Sequence, residues 1–476
     1  MARQSRTVIR FGTDSVVAPL FLLLIVGGLI WAVQQRQLSI ATACFAASLG
    51  SLLSGATAFT FIRAKFSVGR LLLLSYLASL WIWYFTPLLF VAIFPDDVRA
   101  GEIYSERMLV NAGYYCAIGY TAICFGAVVA SSFQSSGPER FSSSTDDLLP
   151  LFAVMCIGLA SLAMVFTKRA SPQGIEELYS DEGTLAVASL AGVCVKLMGV
   201  CWAYFLRRSF LERFSFWIIS AILISFPAVA YFVFKIGKRN ALFGIAVMLA
   251  CTVAAYRPQL FKKSVAIAVP VFVALFVGIG FMRTPDRVQD SATRRILQPV
   301  VVFTQTASMH ARMQKAYPEN RRSWGSTYAQ SLCAIFPPPI DGKVAKLAGF
   351  DAPAPEFPRN IAIDTIPSAE ARNFAMGASP IAEAYVNFGF PLGYLALVAY
   401  GLLVSSILIF AEVPTQKTWL FTLKVLLAAG AFWTVRAPLS GLYEYAHYWW
   451  FLIVAFIAWR ILVPRKRLRT TIPSVD

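Results

Sequence analysis

The 476-residue chain has little charge for its size, few histidines and no cysteine framework. Charged residues make up 14% of the sequence against 58% hydrophobic ones, a balance far more apolar than a soluble domain supports. A soluble enzyme is therefore excluded, and a polytopic membrane protein is indicated. The only two histidines, His310 and His447, are far apart, and no Cys-x-x-Cys spacing occurs. The pattern therefore implies no metal site and no cofactor. Of the eight cysteines, all but Cys333 fall inside apolar runs, so no disulfide across loops is expected.

What is abundant is apolar sequence in long runs. A bilayer core needs about 20 apolar residues per helix. Twelve segments match: 16–33, 39–62, 71–94, 108–132, 148–167, 184–206, 214–234, 240–256, 264–282, 385–410, 418–437 and 444–463. In lipid the backbone must satisfy its own hydrogen bonds, so these are helices and the fold class is all-α. The first run follows Arg3, Arg6 and Arg10 but lacks a small-residue cleavage pattern, and it reads as a retained helix.

The formal net charge of +17 does not point to nucleic acid, because the basic residues cluster at the ends of the apolar runs. With the N-terminus inside, the cytoplasmic segments hold nineteen Lys and Arg residues and the short outer connectors nine. The positive-inside rule then puts both termini in the cytoplasm. Three of the nine exceptions lie in one connector, KIGKRN (235–240), at the start of the eighth run.

The expected organisation has three parts: helices 1 to 9 over 1–282, a large outer loop over 283–380, and helices 10 to 12 with a basic tail over 381–476. Within the loop, Ile296, Val300, Phe303 and Ala307 recur at helical spacing and predict an amphipathic helix over 295–316. FPPPI (336–340) and DAPAPEFPRN (351–360) impose extended, turn-rich backbone. The loop carries twelve cations against eight carboxylates, and nine of the cations are arginine. The guanidinium fork suits phosphate or carboxylate, which points to an anionic ligand.

Four stretches could carry chemistry. In KIGKRN, Lys238 and Arg239 stand at a helix N-terminus, where cations oppose the dipole and an anion would compensate both. In MGASPIAEAYVNFGFPLG (376–393), Ser379 and Pro380 read as N-cap and first helical residue, with Glu383 and Tyr385 in the first two turns. Glu383 is either a charge partner for that helix end or a catalytic carboxylate. In VRAPLSGLYEYAHYWW (435–450), Arg436 and Tyr443 sit among interfacial aromatics. His310, on the loop helix, is either a packing residue or a general base. Lys196 and Lys424 are the deepest charges and stand alone in their helices.

A dozen helices, KIGKRNALFG at a mid-chain helix start, one large late loop and SPIAEAYVNFG together resemble the Wzy-type polymerases of O-antigen or oligosaccharide repeat units. The resemblance implies a multi-pass protein of the bacterial inner membrane that performs inverting, metal-independent glycosyl transfer in the periplasm. Its substrates would be glycans linked to undecaprenyl pyrophosphate, amid membrane lipids and with a chain-length regulator as a further partner. Lys238, Arg239 and loop arginines such as Arg372 would bind the pyrophosphate and stabilise charge as it leaves. Arg436, Tyr385 and Tyr443 would line the substrate site, and Glu383 or His310 would serve as base. The architecture also fits an O-antigen ligase acting on lipid A core. A transporter would want paired ionisable groups at the midplane, and no inverted repeat is visible.

If Arg239 neutralises the pyrophosphate, Arg239→Ala protein inserts normally but makes no polymer, and normal polymer from that variant refutes the role. A cysteine at 238 that is labelled only from the cytosol overturns the orientation.

Overall fold

The computed structural model describes residues 13–34, 38–65, 70–93, 106–133, 182–211, 239–264, 322–337, 340–352, 379–415, 417–435, 437–446 and 448–462, with isolated positions that include His310 and Met313. Every regular element among them is a helix. The long ones are α1 (Thr13–Gln34), α2 (Ile40–Lys65), α3 (Leu71–Ile93), α4 (Glu106–Phe133), α5 (Glu182–Leu211) and α6 (Arg239–Tyr256). Short loop helices follow, α7 (Ser326–Leu332) and α8 (Ile340–Leu347), joined through a 3-10 turn at Cys333–Ile335. The last five are α9 (Pro380–Phe388), α10 (Leu392–Glu412), α11 (Thr418–Trp433), α12 (Ser440–Ala446) and α13 (Tyr448–Leu462).

Among the described residues, five segments are long and apolar enough to cross a membrane: Val16–Gln34, Ile40–Arg63, Leu71–Leu89, Val110–Ser132 and Leu392–Glu412. Phe243–Tyr256 and Thr418–Trp433 are shorter apolar helices. The periphery is as greasy as the core. Phe21, Leu24 and Leu29 of α1 and Leu52 and Leu53 of α2 are exposed, whereas α4 is enclosed by its neighbours. A helix that is apolar on its covered and uncovered sides alike belongs in lipid.

Side-chain pairings give the helix directions. Ala47, Ser54 and Gly55 of α2 meet Gly113, Thr121 and Tyr120 of α4, so the two run parallel. Tyr115, Gly119 and Ile123 of α4 meet Gly393, Leu397 and Gly401 of α10, again in parallel. Gly199 of α5 lies on Ile245 of α6 and Phe210 accepts from Arg257, which makes a third parallel pair. By contrast α3 is antiparallel to α4, with Leu88 against Gly113 and the Tyr120 hydroxyl donating to Leu77 O. Helix α11 likewise runs antiparallel to α10 and α6.

The α4–α10 seam is a backbone contact. A Cβ on Gly126 would lie 2.3 Å from Val398 O, and one on Gly401 would lie 2.4 Å from Ile123 O. Small residues let helices approach where lipid gives no hydrophobic drive, so packing itself must hold them. At the bundle end remote from α9, the Glu412 carboxylate accepts the backbone N–H groups of Arg70 and Leu72 and so caps the start of α3. Tyr256 donates to Thr415 O at 2.5 Å and accepts from Thr415 N–H, tying α6 to the α10–α11 turn.

The two deep lysines are not isolated. Lys196 Nζ donates to the Tyr448 hydroxyl at 3.1 Å and lies 4.7 Å and 4.9 Å over the Tyr445 and Tyr448 rings. Lys424 Nζ donates to Val413 O at 2.7 Å above the Phe410 ring. Aromatic faces and a carbonyl thus carry both charges.

The run expected over 385–410 divides. Ser379 caps α9 by accepting from Ala382 N–H, but α9 stops at Gly389, whose φ of +62° an L side chain rarely adopts, and α10 begins at Leu392. The run expected over 444–463 likewise becomes α12 and α13. Segments 148–167 and 264–282, nearly all of 214–234, and 353–378 of the loop lie outside the described residues. So does most of the 295–316 helix, of which His310, Met313 and Gln314 are helical.

Gly401→Val is expected to destabilise the protein by about 1–3 kcal/mol, read as a lower unfolding temperature in detergent. Leu395→Val on the exposed side of α10 should stay within about 0.5 kcal/mol of the parent.

Candidate functional site

Helix α9 supplies the centre of the site. Pro380 at its first position and Ser379 as cap fix its start, which turns Glu383 inward. Glu383 is wholly buried. Its Oε1 accepts from the Thr327 hydroxyl at 3.0 Å and, more weakly, from the Ser331 hydroxyl at 3.5 Å. Its Oε2 accepts from the backbone N–H of Leu439 at 2.6 Å. One carboxylate thus joins α9, α7 and the turn that leads into α12.

Asn387, one turn further along α9, completes the junction with α7. Its Nδ2 donates to Thr327 Oγ1 at 2.5 Å and to Glu383 O at 2.9 Å, and its Oδ1 accepts from Gly325 N–H at 2.9 Å. Ser323 and Trp324 donate backbone N–H groups to Val386 O and Asn387 O, both at 3.0 Å. Carbonyls left free at the end of α9 are therefore taken up by the loop. Arg322 follows the same logic. Its Nη1 donates to Tyr385 O at 2.7 Å, and its guanidinium lies 4.3 Å from the Tyr385 ring centre.

His310 reaches the same helix from the other side. Its Nε2 is 3.1 Å from Ser379 Oγ, and its ring packs against Tyr84 and Tyr115. Burial holds the imidazole down to about 3. Burial pushes the Glu383 carboxyl up to about 7, although hydrogen bonds from Leu439, Thr327 and Ser331 pull the other way. Half-buried Tyr443 on α12 is close enough to Glu383 for the carboxylate to raise it, after burial.

Four expected site residues, Glu383, His310, Tyr385 and Tyr443, thus come together at one end of the bundle. Arg239 opens α6, and Gly244, five residues on, leaves room for Tyr445 of α12, so the start of α6 faces this same end. Lys238, Arg372 and Arg436 lie outside the described residues. Thr327, Ser331, Asn387 and Arg322 had no distinguishing signal in the sequence beyond the loop's excess of arginine.

An all-helical bundle with lipid-facing sides and a buried acid at one end of its spans defines a multi-pass membrane protein with a site near the membrane edge. Residues 229–467, half of the chain, match the family model described as O-antigen polysaccharide polymerase Wzy. The chain belongs to that family. No curated protein and no solved structure matches it. The match spans α6 to α13 and so includes Thr327, Ser331 and Leu439, which hydrogen-bond to the Glu383 carboxylate.

Glu383 holds its proton in the folded state up to about pH 7 and releases it near 4.5 when unfolded. The stability it contributes is therefore full below about pH 4.5 and declines as pH rises to about 7. Glu383→Gln should flatten that slope in unfolding temperature against pH. Glu383→Ala, which orphans the Leu439 N–H, should cost about 1–3 kcal/mol.

Proposed function

We propose that this protein polymerises lipid-linked oligosaccharide repeat units outside the cytoplasm by inverting, metal-independent glycosyl transfer. The growing glycan on undecaprenyl pyrophosphate is the donor. A hydroxyl oxygen of the incoming unit attacks the anomeric carbon from the face opposite the pyrophosphate. The C–O bond to pyrophosphate breaks, the leaving group keeps the electron pair, and a base takes the hydroxyl proton. The observation that carries this reading is the family match together with the buried carboxylate it encloses.

Orientation is supported by charge. The end opposite the site holds Arg63, Arg70, Arg207, Arg208, Arg257, Lys262, Lys263 and Lys417, which is the cytoplasmic pattern. The site then faces the periplasm. Twelve spans are supported by the parallel pairs, since α5 and α6 run the same way and the chain must return between them, as the seventh expected span would do.

Glu383 is the base in this proposal, because a carboxyl near 7 is matched to proton removal at neutral pH. It is enclosed, so the proton reaches it through Thr327, whose hydroxyl already donates to Oε1. His310, neutral and buried, acts as a positioning residue on the Ser379 cap. Arg239 at the start of α6, with Lys238, Arg372 and Arg436, supplies cations for the departing diphosphate. The apolar helices hold the prenyl tails, which anchors both substrates in one leaflet and raises their effective concentration.

Purified protein given lipid-linked repeat units without metal should yield polymer and free undecaprenyl pyrophosphate, and absence of both overturns the reading. The rate should rise as pH increases through about 7, where the base ionises. Glu383→Gln should fold yet lose about 100-fold or more in rate. In cells, a deletion should leave lipid A core bearing single repeat units, whereas bare core indicates ligase activity.

A further inference from the structure

Beside the Glu383 junction lies a group of tyrosines whose hydroxyls have no partner. Tyr115 of α4 is 5% exposed, and its ring lies 5.1 Å from that of Tyr385 and 5.2 Å from that of Tyr394. Phe390 closes the group, 4.9 Å from Tyr394. Tyr328 follows Thr327 on α7 and packs on Phe388, and burial, Glu383 and Tyr115 together push its phenol up. The hydroxyl oxygens of Tyr115, Tyr328 and Tyr394 are all buried and all lack a hydrogen-bond partner.

Three unpaired hydroxyls in one place are costly, on the order of 1–3 kcal/mol each, and phenylalanine would fill the same space without that cost. A ligand that pairs with them would offset that cost. A phenol both donates and accepts, which matches a sugar hydroxyl, whereas a diphosphate only accepts. Among the described residues, Arg322 is the cation at this group; it already donates one arm to Tyr385 O and presses its fork against Gly389, where a Cβ would lie 2.6 Å from its central carbon. The rings meet edge to face or tilted, Tyr115 with Tyr385 at 86° and Phe390 with Tyr394 at 84°, and supply aromatic CH and ring contacts for a pyranose.

We propose that Tyr115, Tyr328 and Tyr394, floored by Tyr385 and Phe390, form a saccharide subsite that holds one sugar ring of the glycan next to Glu383. This deepens the polymerase reading and rests on it for the glycan's identity. Arg322 is a positioning residue that fixes the Tyr385 ring.

The test uses the full-length protein in detergent and, as probe, the lipid-free repeat-unit oligosaccharide hydrolysed from the surface polysaccharide of the bacterium that carries it. Binding is followed by calorimetry for the parent and for Tyr115→Phe, Tyr328→Phe and Tyr394→Phe. Each variant removes one unpaired oxygen, so unfolding temperature should stay level or rise. The dissociation constant should increase by about fivefold per hydroxyl, while binding of inorganic pyrophosphate stays unchanged. Parent-like affinity in all three variants overturns the subsite, as does absence of binding by the parent. Weakened pyrophosphate binding in the variants also overturns it, in favour of an anion site. If the parent binds sugar and the variants bind it more weakly, but no polymer forms from lipid-linked units, the subsite stands and the polymerase reading falls.

Discussion

The site depends on a carboxylate placed where water does not reach. The Glu383 carboxylate takes hydrogen bonds from a loop helix and from the backbone N–H of Leu439, while Asn387 donates to the Glu383 backbone carbonyl. A buried polar network of this kind is worth having only when every member is paired, and here each of these donors has its acceptor. Three chain segments that are separated in sequence by more than fifty residues thereby share one fixed point. The same burial that makes the junction rigid also lifts the carboxyl toward neutrality, so one physical cause gives both shape and proton affinity.

The membrane imposes a second constraint, direction. Helices of one polytopic chain alternate, so parallel neighbours cannot be consecutive in sequence. The three parallel pairs found here, α2 with α4, α4 with α10, and α5 with α6, each have enough chain between their members for a return across the bilayer. They also explain why the site forms at one end. Helices α4, α6 and α10 all begin there, so three helix starts lie in the same region as α9.

Local signals were legible in the sequence and distant pairings were not. Ser-Pro at 379 and 380 announced a capped helix, and the structure has it, because capping depends on residues three apart. The inward turn of Glu383 was not readable, since its partners Thr327, Ser331 and Leu439 come from elsewhere in the fold. The break at Gly389 was written in the sequence as Gly-Phe-Pro, but the apolar run on both sides concealed it. Lys196 looked alone because its aromatic partners Tyr445 and Tyr448 follow some 250 residues later. Composition gave the membrane class reliably, because bilayer thickness constrains every span in the same way.

The glycine seam between α4 and α10 has a consequence for how the protein is made. Gly126 leaves the ribosome long before Gly401, and at 5–20 residues per second the interval is roughly 15–55 s. For that time the notched face of α4 stands in the bilayer with only acyl chains against it. Assembly of the late half must expel those lipids to close backbone on backbone, so the order of synthesis is also the order in which the seam is sealed.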